Sequence, residues 1–515
     1  MKVTQTLLLL AFALPVIGAA PEPVDVLIRG GTIYTGTDAP FTGDVAIAGD
    51  RILAVGRRYR GAASRIIDAR GMIVAPGFID PHAHVGDDLA SDDSRARLIP
   101  AFLMQGVTTA FIGNDGAGGL DVAKVLGGAA AKPVGINYAT YVGFGAVRRQ
   151  VLGAANRPPS HAELGRMRSL VAGAMCQGAL GLSTGLFYAP QSFAKTEEVV
   201  ALAREAGRRG GVYDSHLRDE SSYTIGLAAA VDEAIAIGRE ARLPVHISHI
   251  KALGVDVHGQ APAIIAKVEA ARRAGQAVTA DQYPWSASGT SLAAALVPLW
   301  AQEGGHAKLI ERLDDPRLRS GMAENLRRRG GAAALLVTEG DFAGRTLADI
   351  ATSRGEPPVA VAVAMIRRGD PAVASFNQIE PDIRAFMRRP WVMTGSDASA
   401  GHPRAFGSFA RKYAKYVDSE TILTLRQFIE RSSTLAAQTF RLDGRGRLES
   451  GAFADVVVFD PRRYSARATY AKPTLLAAGV RTVLVNGRLA VDDGALTGRA
   501  AGRALPRRPP AGTCS

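Results

Sequence analysis

The chain has 515 residues, 47% of them apolar and 21% charged, with a formal net charge of +13 at pH 7. This is the composition of a soluble globular protein, long enough for one large barrel with additions or for more than one domain. The positive charge is scattered, with no basic stripe interleaved with aromatics, which argues against a nucleic-acid surface.

Residues 1–20 carry Lys2, an apolar run from Leu7 to Leu14, and the small residues Gly18, Ala19 and Ala20. That is the pattern of a secretory signal peptide, with an apolar core too short to span a membrane. It predicts an exported, periplasmic protein without a stable membrane span once the segment is removed. The two cysteines, Cys176 and Cys514, show no metal-ligand spacing and imply no disulfide framework. A metal site would therefore be built from histidines and carboxylates.

Strand patterns cover 24–34, 43–55 and 65–74, and return at 446–459 and 480–491, separated by Gly and Asp turns. Two β-rich ends around a long middle are expected to pack together as a small β-sandwich of residues 21–75 plus 441–498. The middle alternates short apolar strands (73–80, 107–114, 135–142, 178–185, 211–216, 245–249, 277–283 and 391–397) with helical periodicity, as at 162–176, 196–209, 223–241 and 262–274. Eight β-then-α units predict an α/β fold, a TIM-type (β/α)8 barrel over 76–440. No glycine-rich phosphate fingerprint follows the first strand, which weighs against a doubly wound sheet. Residues 285–390 interrupt the repeat and are expected to form a lid or binding loop at the catalytic face. Residues 499–515 hold Arg499, Arg503, Arg507 and Arg508 beside Pro and Gly, and read as a basic, flexible tail.

The candidate chemistry collects at strand ends. His82 and His84 are two positions apart, so on a strand they project together. His216 closes the fifth strand, His249 the sixth and Asp397 the eighth. Residues at the C-terminal ends of barrel strands face one mouth. His246 is three positions from His249 and cannot share its strand face, so it is expected against the outer helices. Imidazoles with carboxylates make a zinc-type site for one or two Zn2+ ions. Such a site acidifies water and polarises a carbonyl, and Asp397 is placed to take and return protons.

Several stretches then carry a resemblance. They are Pro76-Gly77-Phe78-Ile79-Asp80-Pro81-His82-Ala83-His84, Gly181-Leu182-Ser183-Thr184-Gly185-Leu186-Phe187-Tyr188, Ser215-His216-Leu217-Arg218-Asp219-Glu220, Ser248-His249-Ile250-Lys251, Asp281-Gln282-Tyr283-Pro284-Trp285, and Ser396-Asp397 with His402-Pro403-Arg404. In this order the chain resembles the amidohydrolase superfamily and, within it, the N-acyl-D-amino-acid deacylases (D-aminoacylases). The resemblance implies a metal held by His216 and His249, a second position near His82 and His84, and Asp397 as the general base. It implies that Arg404 and Tyr283 hold a substrate α-carboxylate, helped by a hydroxyl near Ser288. Lys251 and Arg218 are further substrate-side candidates. The implied reaction is hydrolysis of a small linear amide, an N-acyl-D-amino acid, and the D-preference rests on resemblance alone. Cleavage of a D-dipeptide or peptidoglycan fragment, cyclic-amide or deaminase chemistry, and metal-dependent binding without catalysis are the alternatives.

The sequence departs from the family at one ligand. Where the strand-two motif carries a cysteine after Gly-Asn, this chain has Asp115 in Gly113-Asn114-Asp115-Gly116. A carboxylate is a harder ligand than a thiolate and can bridge two ions. The carboxylated lysine that cyclic-amide relatives use at the end of strand four has no counterpart in Leu182-Ser183-Thr184-Gly185.

Overall fold

A computed structural model describes residues 22–514, so the expected signal peptide lies outside the described residues. Five strands open the chain: β1 (Val24–Ile33), β2 (Phe41–Ala48), β3 (Arg51–Gly56), β4 (Ala63–Asp68) and β5 (Ile73–Pro76). The expected single run at 43–55 is a hairpin, because Gly49 turns the chain at φ +60°.

Short, wholly buried strands follow: β6 (Phe78–Asp80), β7 (Val107–Ile112), β8 (Asn137–Thr140), β9 (Val142–Gly143), β10 (Gly181–Gly185), β11 (Val212–His216), β12 (Val245–Ile247) and β13 (Val278–Gln282). Burial on both faces is what parallel strands covered by helices require. The interruption holds β14 (Ala287–Ser291), β15 (Leu335–Val337) and β16 (Ala372–Phe376), before β17 (Val392–Thr394) resumes the pattern. The chain closes with β18 (Val456–Phe459), β19 (Val480–Val485), β20 (Arg488–Asp492) and β21 (Ala495–Leu496).

Strands β6-β7-β8 form one parallel sheet and β9-β10-β11-β12-β13-β17 another. The two sheets meet at both ends. Leu180 N donates to Thr140 O at 2.8 Å, and a parallel bridge joins Ala83 to Ala398. The helices His161–Cys176, Thr196–Arg208, Leu227–Ala241 and Ala261–Arg273 cover successive strands of the second sheet and pack on one another. The first of these begins with a capping box, Ser160 with Glu163, which satisfies two backbone donors that the helix start leaves open.

The terminal strands join in one nine-stranded hydrogen-bonded sheet, in the order β21-β20-β19-β18-β5-β1-β2-β3, with β4 on β1. Residues 73–80 were expected as one strand of the middle, but Ile73–Pro76 pair with the terminal sheet and Phe78–Asp80 with the parallel one. Period-two alternation makes β18 two-sided. Val456 and Val458 pack with Val26, Ile28, Val45 and Ile47, while Val457 and Phe459 join Phe78 in the main core. Residues of the interruption have a core of their own, including Leu296, Met322, Leu335, Ile350 and Ile366, around the antiparallel sheet β14-β16-β15.

Two expectations are corrected at the C-terminal end. The tail at 499–515 is not free through its described length. Gly502 N donates to Val134 O, Leu505 N to Tyr138 O and Arg507 N to Gly178 O, and Ala504 bridges Tyr138. Cys514 forms a disulfide with Cys176 across a sequence separation of 338. Spacing could not show that pair, because only the folded chain brings the two thiols together.

A bridge over so long a loop constrains the unfolded chain by about 2–4 kcal/mol. Reduction should therefore lower the melting temperature in scanning calorimetry by several degrees. Cys514→Ser should melt at that lower temperature and no longer respond to reductant.

Candidate metal centre and its cavity

The candidate ligands sit at the C-terminal ends of the parallel strands or just beyond them. His82 and His84 follow β6, Asp115 follows β7, His216 closes β11, His249 lies two residues past β12 and Asp397 three past β17. Three of them hold left-handed backbone: Asp115 at φ +57°, His249 at +35° and Asp397 at +48°. Such angles are uncommon for side chains other than Gly, Asn, Asp and His, and they concentrate at functional sites. Here they turn the chain sharply, so that side chains leaving separate strands converge.

This turn also corrects the placing of His246. Its strand ends at Ile247, and the left-handed His249 breaks the strand periodicity on which the expectation rested. His246 is fully buried, with Nδ1 2.9 Å from Thr279 Oγ1 and Nε2 3.1 Å from Asp281 Oδ1. It is an interior residue, and Asp281 Oδ1 also accepts a hydrogen bond from His249 N at 3.0 Å.

All six proposed ligands meet. Asp115 Oδ1 lies 3.5 Å from His82 Nε2, 3.6 Å from His216 Nδ1 and 3.6 Å from His249 Nε2. Its Oδ2 is 3.5 Å from His84 Nε2, which stands 3.2 Å from Asp397 Oδ1. His82 Nε2 is 3.6 Å from the same Asp397 oxygen. Two overlapping donor sets result, His82–Asp115–His249–Asp397 and His216–Glu220–His249, each with ligand atoms within 4.8 Å of one another. Donors sharing a tetrahedral ion at about 2.0–2.2 Å stand roughly 3.3–3.6 Å apart, so these spacings fit a cation. Asp115 Oδ1 and both ring nitrogens of His216 are buried with no hydrogen-bond partner. Buried polar atoms are rarely left so, and a shared ion would satisfy Asp115 Oδ1 together with one of the two His216 nitrogens.

The electrostatics make the same demand. Burial opposes the charge on Asp115, but His82, His216 and His249 outweigh it and hold the carboxyl well below its usual range. Burial likewise opposes the charge on Asp397, and Arg404 and His249 overcome it. His84 is disfavoured by burial yet raised to about 9 by Asp115 and Asp397. His249 is disfavoured by burial and Lys251 but raised to about 10, chiefly by Asp397 and Glu220. Burial alone leads the lowering of His216. The carboxylates thus draw positive charge onto His84 and His249, and a divalent cation supplies that charge more compactly than protons.

All of the candidate ligands except the fully buried His82 open on a cavity of about 210 Å³, lined also by Phe187, Tyr188, Glu220, Lys251, Ser288, Arg329 and Arg404. Arg404 is 2% exposed, with Nη1 2.7 Å from Asp397 Oδ2 and Nη2 donating to Ser399 Oγ at 2.9 Å; its Nε has no partner. Gly289 faces it, and a Cβ there would come within 3.1 Å of Nη2. Ser288 Oγ accepts from Asn377 Nδ2 at 2.8 Å.

Three substrate-side expectations change. Tyr283 does not line the cavity; its hydroxyl accepts from Gln378 Nε2 at 3.1 Å, and its ring lies under Arg404 with 5.1 Å to the centroid. Lys251 lines the cavity, but its Nζ is 2.5 Å from Glu220 Oε1 and 2.8 Å from His249 Nδ1, so it braces the site. Arg218 is outside: it forms a two-bond pair with Glu233 and lines a neighbouring cavity of about 390 Å³.

Sequence reasoning missed Glu220, whose Oε2 is 3.6 Å from His216 Nε2 and whose Oε1 is 3.2 Å from His249 Nδ1. It also missed a buried layer that orients the site. Asp80 Oδ1 accepts from His82 N and Ser396 N, and Asp214 accepts from Asn114 Nδ2 and Ser248 Oγ. A signal existed for these aspartates, since Asp80 and Asp214, each on a strand, lie two residues before a candidate histidine ligand.

A family model described as "Amidohydrolase family" matches residues 65–491. A D-aminoacylase of Alcaligenes xylosoxydans xylosoxydans is 33% identical over 94% of this chain and 98% of its own length. A solved D-aminoacylase, studied for the role of its binuclear metal centre, superposes with a TM-score of 0.81 at 31% identity, covering 94% of this chain and 100% of that one. The N-acyl-D-glutamate deacylase of Bordetella bronchiseptica, solved with zinc and a phosphonate mimic of the tetrahedral intermediate, has the same score, identity and coverage.

Asp115→Ala should purify with clearly less zinc than wild type when both are assayed by plasma emission spectroscopy. Equal stoichiometry would remove Asp115 from the ligand set.

Proposed function

The chain belongs to the amidohydrolase family, and on that premise we propose that it hydrolyses N-acyl-D-amino acids to a carboxylate and a free D-amino acid. The observation that carries this reading is the convergence of His82, His84, Asp115, His216, His249 and Asp397 on one centre, all but His82 lining a cavity with Arg404 in its wall. In this reading Asp115, His216 and His249 hold one Zn2+, and His82 and His84 form a second position beside Asp397. When bound, the ion supplies Lewis acidity toward the amide carbonyl and toward water.

The chain's own groups do the rest. Asp397 is kept ionised by Arg404, so it accepts the proton of the attacking water. It returns that proton to the amine nitrogen as the C–N bond breaks. The free Nε of Arg404 and the Ser288 hydroxyl take the substrate's α-carboxylate, and an arginine fork suits that group. Tyr283 holds the guanidinium from beneath with its ring. Phe187 and Tyr188 pack beside His216 and keep water from that side. Cyclic-amide chemistry is disfavoured, since β10 ends without lysine and Lys251 is paired with Glu220.

The same reading takes the two parallel sheets, joined at Thr140–Leu180 and Ala83–Ala398, as one closed (β/α)8 barrel over 76–440. The terminal sheet, folded around Val26, Val45 and Val456, is taken as the smaller domain, 21–75 plus 441–498. Export is favoured by the apolar N-terminal run and by the Cys176–Cys514 disulfide, a bond that persists in oxidising compartments.

A panel of N-acetyl-D-amino acids and their L-enantiomers should show turnover of the D-series; hydrolysis of L-substrates alone would refute the stereochemistry. Asp397→Asn should lower kcat about 10²- to 10⁴-fold with metal retained, as expected for loss of a general base. Unchanged turnover would take Asp397 out of the chemistry. Edman sequencing of the exported protein should begin just after residues 18–20.

A further inference from the structure

We propose that Arg329 reads a second carboxylate on the substrate, which makes the favoured N-acyl-D-amino acid a dicarboxylate; this deepens the activity proposed above. Arg329 follows the helix Pro316–Arg328, and it is the cation that the 285–390 segment places in the cavity wall. It is 2% exposed. Its Nε donates to Ala295 O at 2.9 Å, but Nη1 is buried with no partner. Among the described residues it joins no ion pair, and its guanidinium rests over the ring of Tyr223 at 5.6 Å.

The other cations in the wall are engaged. Lys251 is held by Glu220 at 2.5 Å, and Arg404 by Asp397 at 2.7 Å. A buried cation without an anion is costly, and one carbonyl acceptor does not offset the charge. An anion arriving with the substrate would. The two arginines stand on different aromatic supports, Arg404 on Tyr283 and Arg329 on Tyr223. The cavity therefore offers two separate anion positions. If the α-carboxylate takes Arg404, the second falls on either the amino-acid side chain or the acyl chain.

The test uses the metal-loaded full chain in two arms. N-acetyl-D-glutamate is compared with N-acetyl-D-glutamine, and N-succinyl-D-leucine with N-butanoyl-D-leucine. Wild type should favour the acid in one arm by about 10- to 150-fold in kcat/KM, the worth of one charge-assisted hydrogen bond, mainly through KM. The arm that responds identifies which part of the substrate carries the acid. Arg329→Met should collapse that ratio, and Arg329→Lys should recover part of it. Wild-type ratios near one in both arms, or a Met variant that weakens acid and neutral substrates equally, would overturn the proposal. Should Arg329→Met fail to fold, the wild-type ratios decide alone. Should no amide be turned over, the activity reading fails separately. Calorimetric binding of glutarate against butyrate, in wild type and Arg329→Lys, then decides this one: a clear preference for glutarate that weakens in the variant upholds it, and equal affinities overturn it.

Discussion

A buried carboxylate oxygen with no hydrogen-bond donor is the demand around which this molecule is arranged. Asp115 Oδ1 faces three imidazole nitrogens at 3.5–3.6 Å, and nothing else satisfies it. Taking such a charge out of water is tolerable only where opposite charge is supplied at contact distance. The strand ends, the sharp turns after them and the layer of Asp80, Asp214 and Asp281 all serve to hold imidazoles at that distance. Asp281 shows the economy of this layer: one oxygen takes the ring of His246 and the backbone of His249 together.

The cavity is a joint product of three parts of the chain. The parallel sheets and the turns after them supply the candidate metal ligands, the segment 285–390 supplies Ser288, Gly289, Thr290 and Arg329, and the stretch after β17 supplies Ser399 and, at the start of the next helix, Arg404. The terminal sheet is bound to the same body by Asp455. Its carboxylate accepts from Asn137 of β8, from Arg445 and from the backbone of Asn486, while Asn137 also accepts from Arg503 N in the tail. The terminal sheet and the C-terminal tail are thus both anchored to a strand next to the one that leads into Asp115.

What the sequence disclosed was whatever is local. Short apolar runs located every parallel strand, and helical spacing placed His161–Cys176 and its three successors within a few residues. Histidines at strand ends pointed to the residues that meet around Asp115. The failures share one cause, dependence on partners far along the chain. Cys176 and Cys514 are 338 residues apart, and no spacing rule reaches that far. Lys251 resembled a free cation until Glu220 was brought against it, and Arg218 until Glu233 was. Arg329 lies in a segment expected at the catalytic face, but no pattern within that segment singled it out. The error over His246 was of another kind: strand geometry was extended two residues past the strand's end at Ile247, to His249, where the backbone turns left-handed.

The left-handed turns have a consequence for descent. At Asp115, His249 and Asp397 the backbone itself filters replacements, because most side chains other than Gly, Asn, Asp and His lose about 1–2 kcal/mol in that conformation. The cysteine expected at position 115 from the resemblance would bear that strain, whereas aspartate tolerates it. Exchange of thiolate for carboxylate here is therefore a step downhill in backbone energy. Lineages could cross it without first reshaping the loop, and the hardness of the metal site can drift while the scaffold stays fixed.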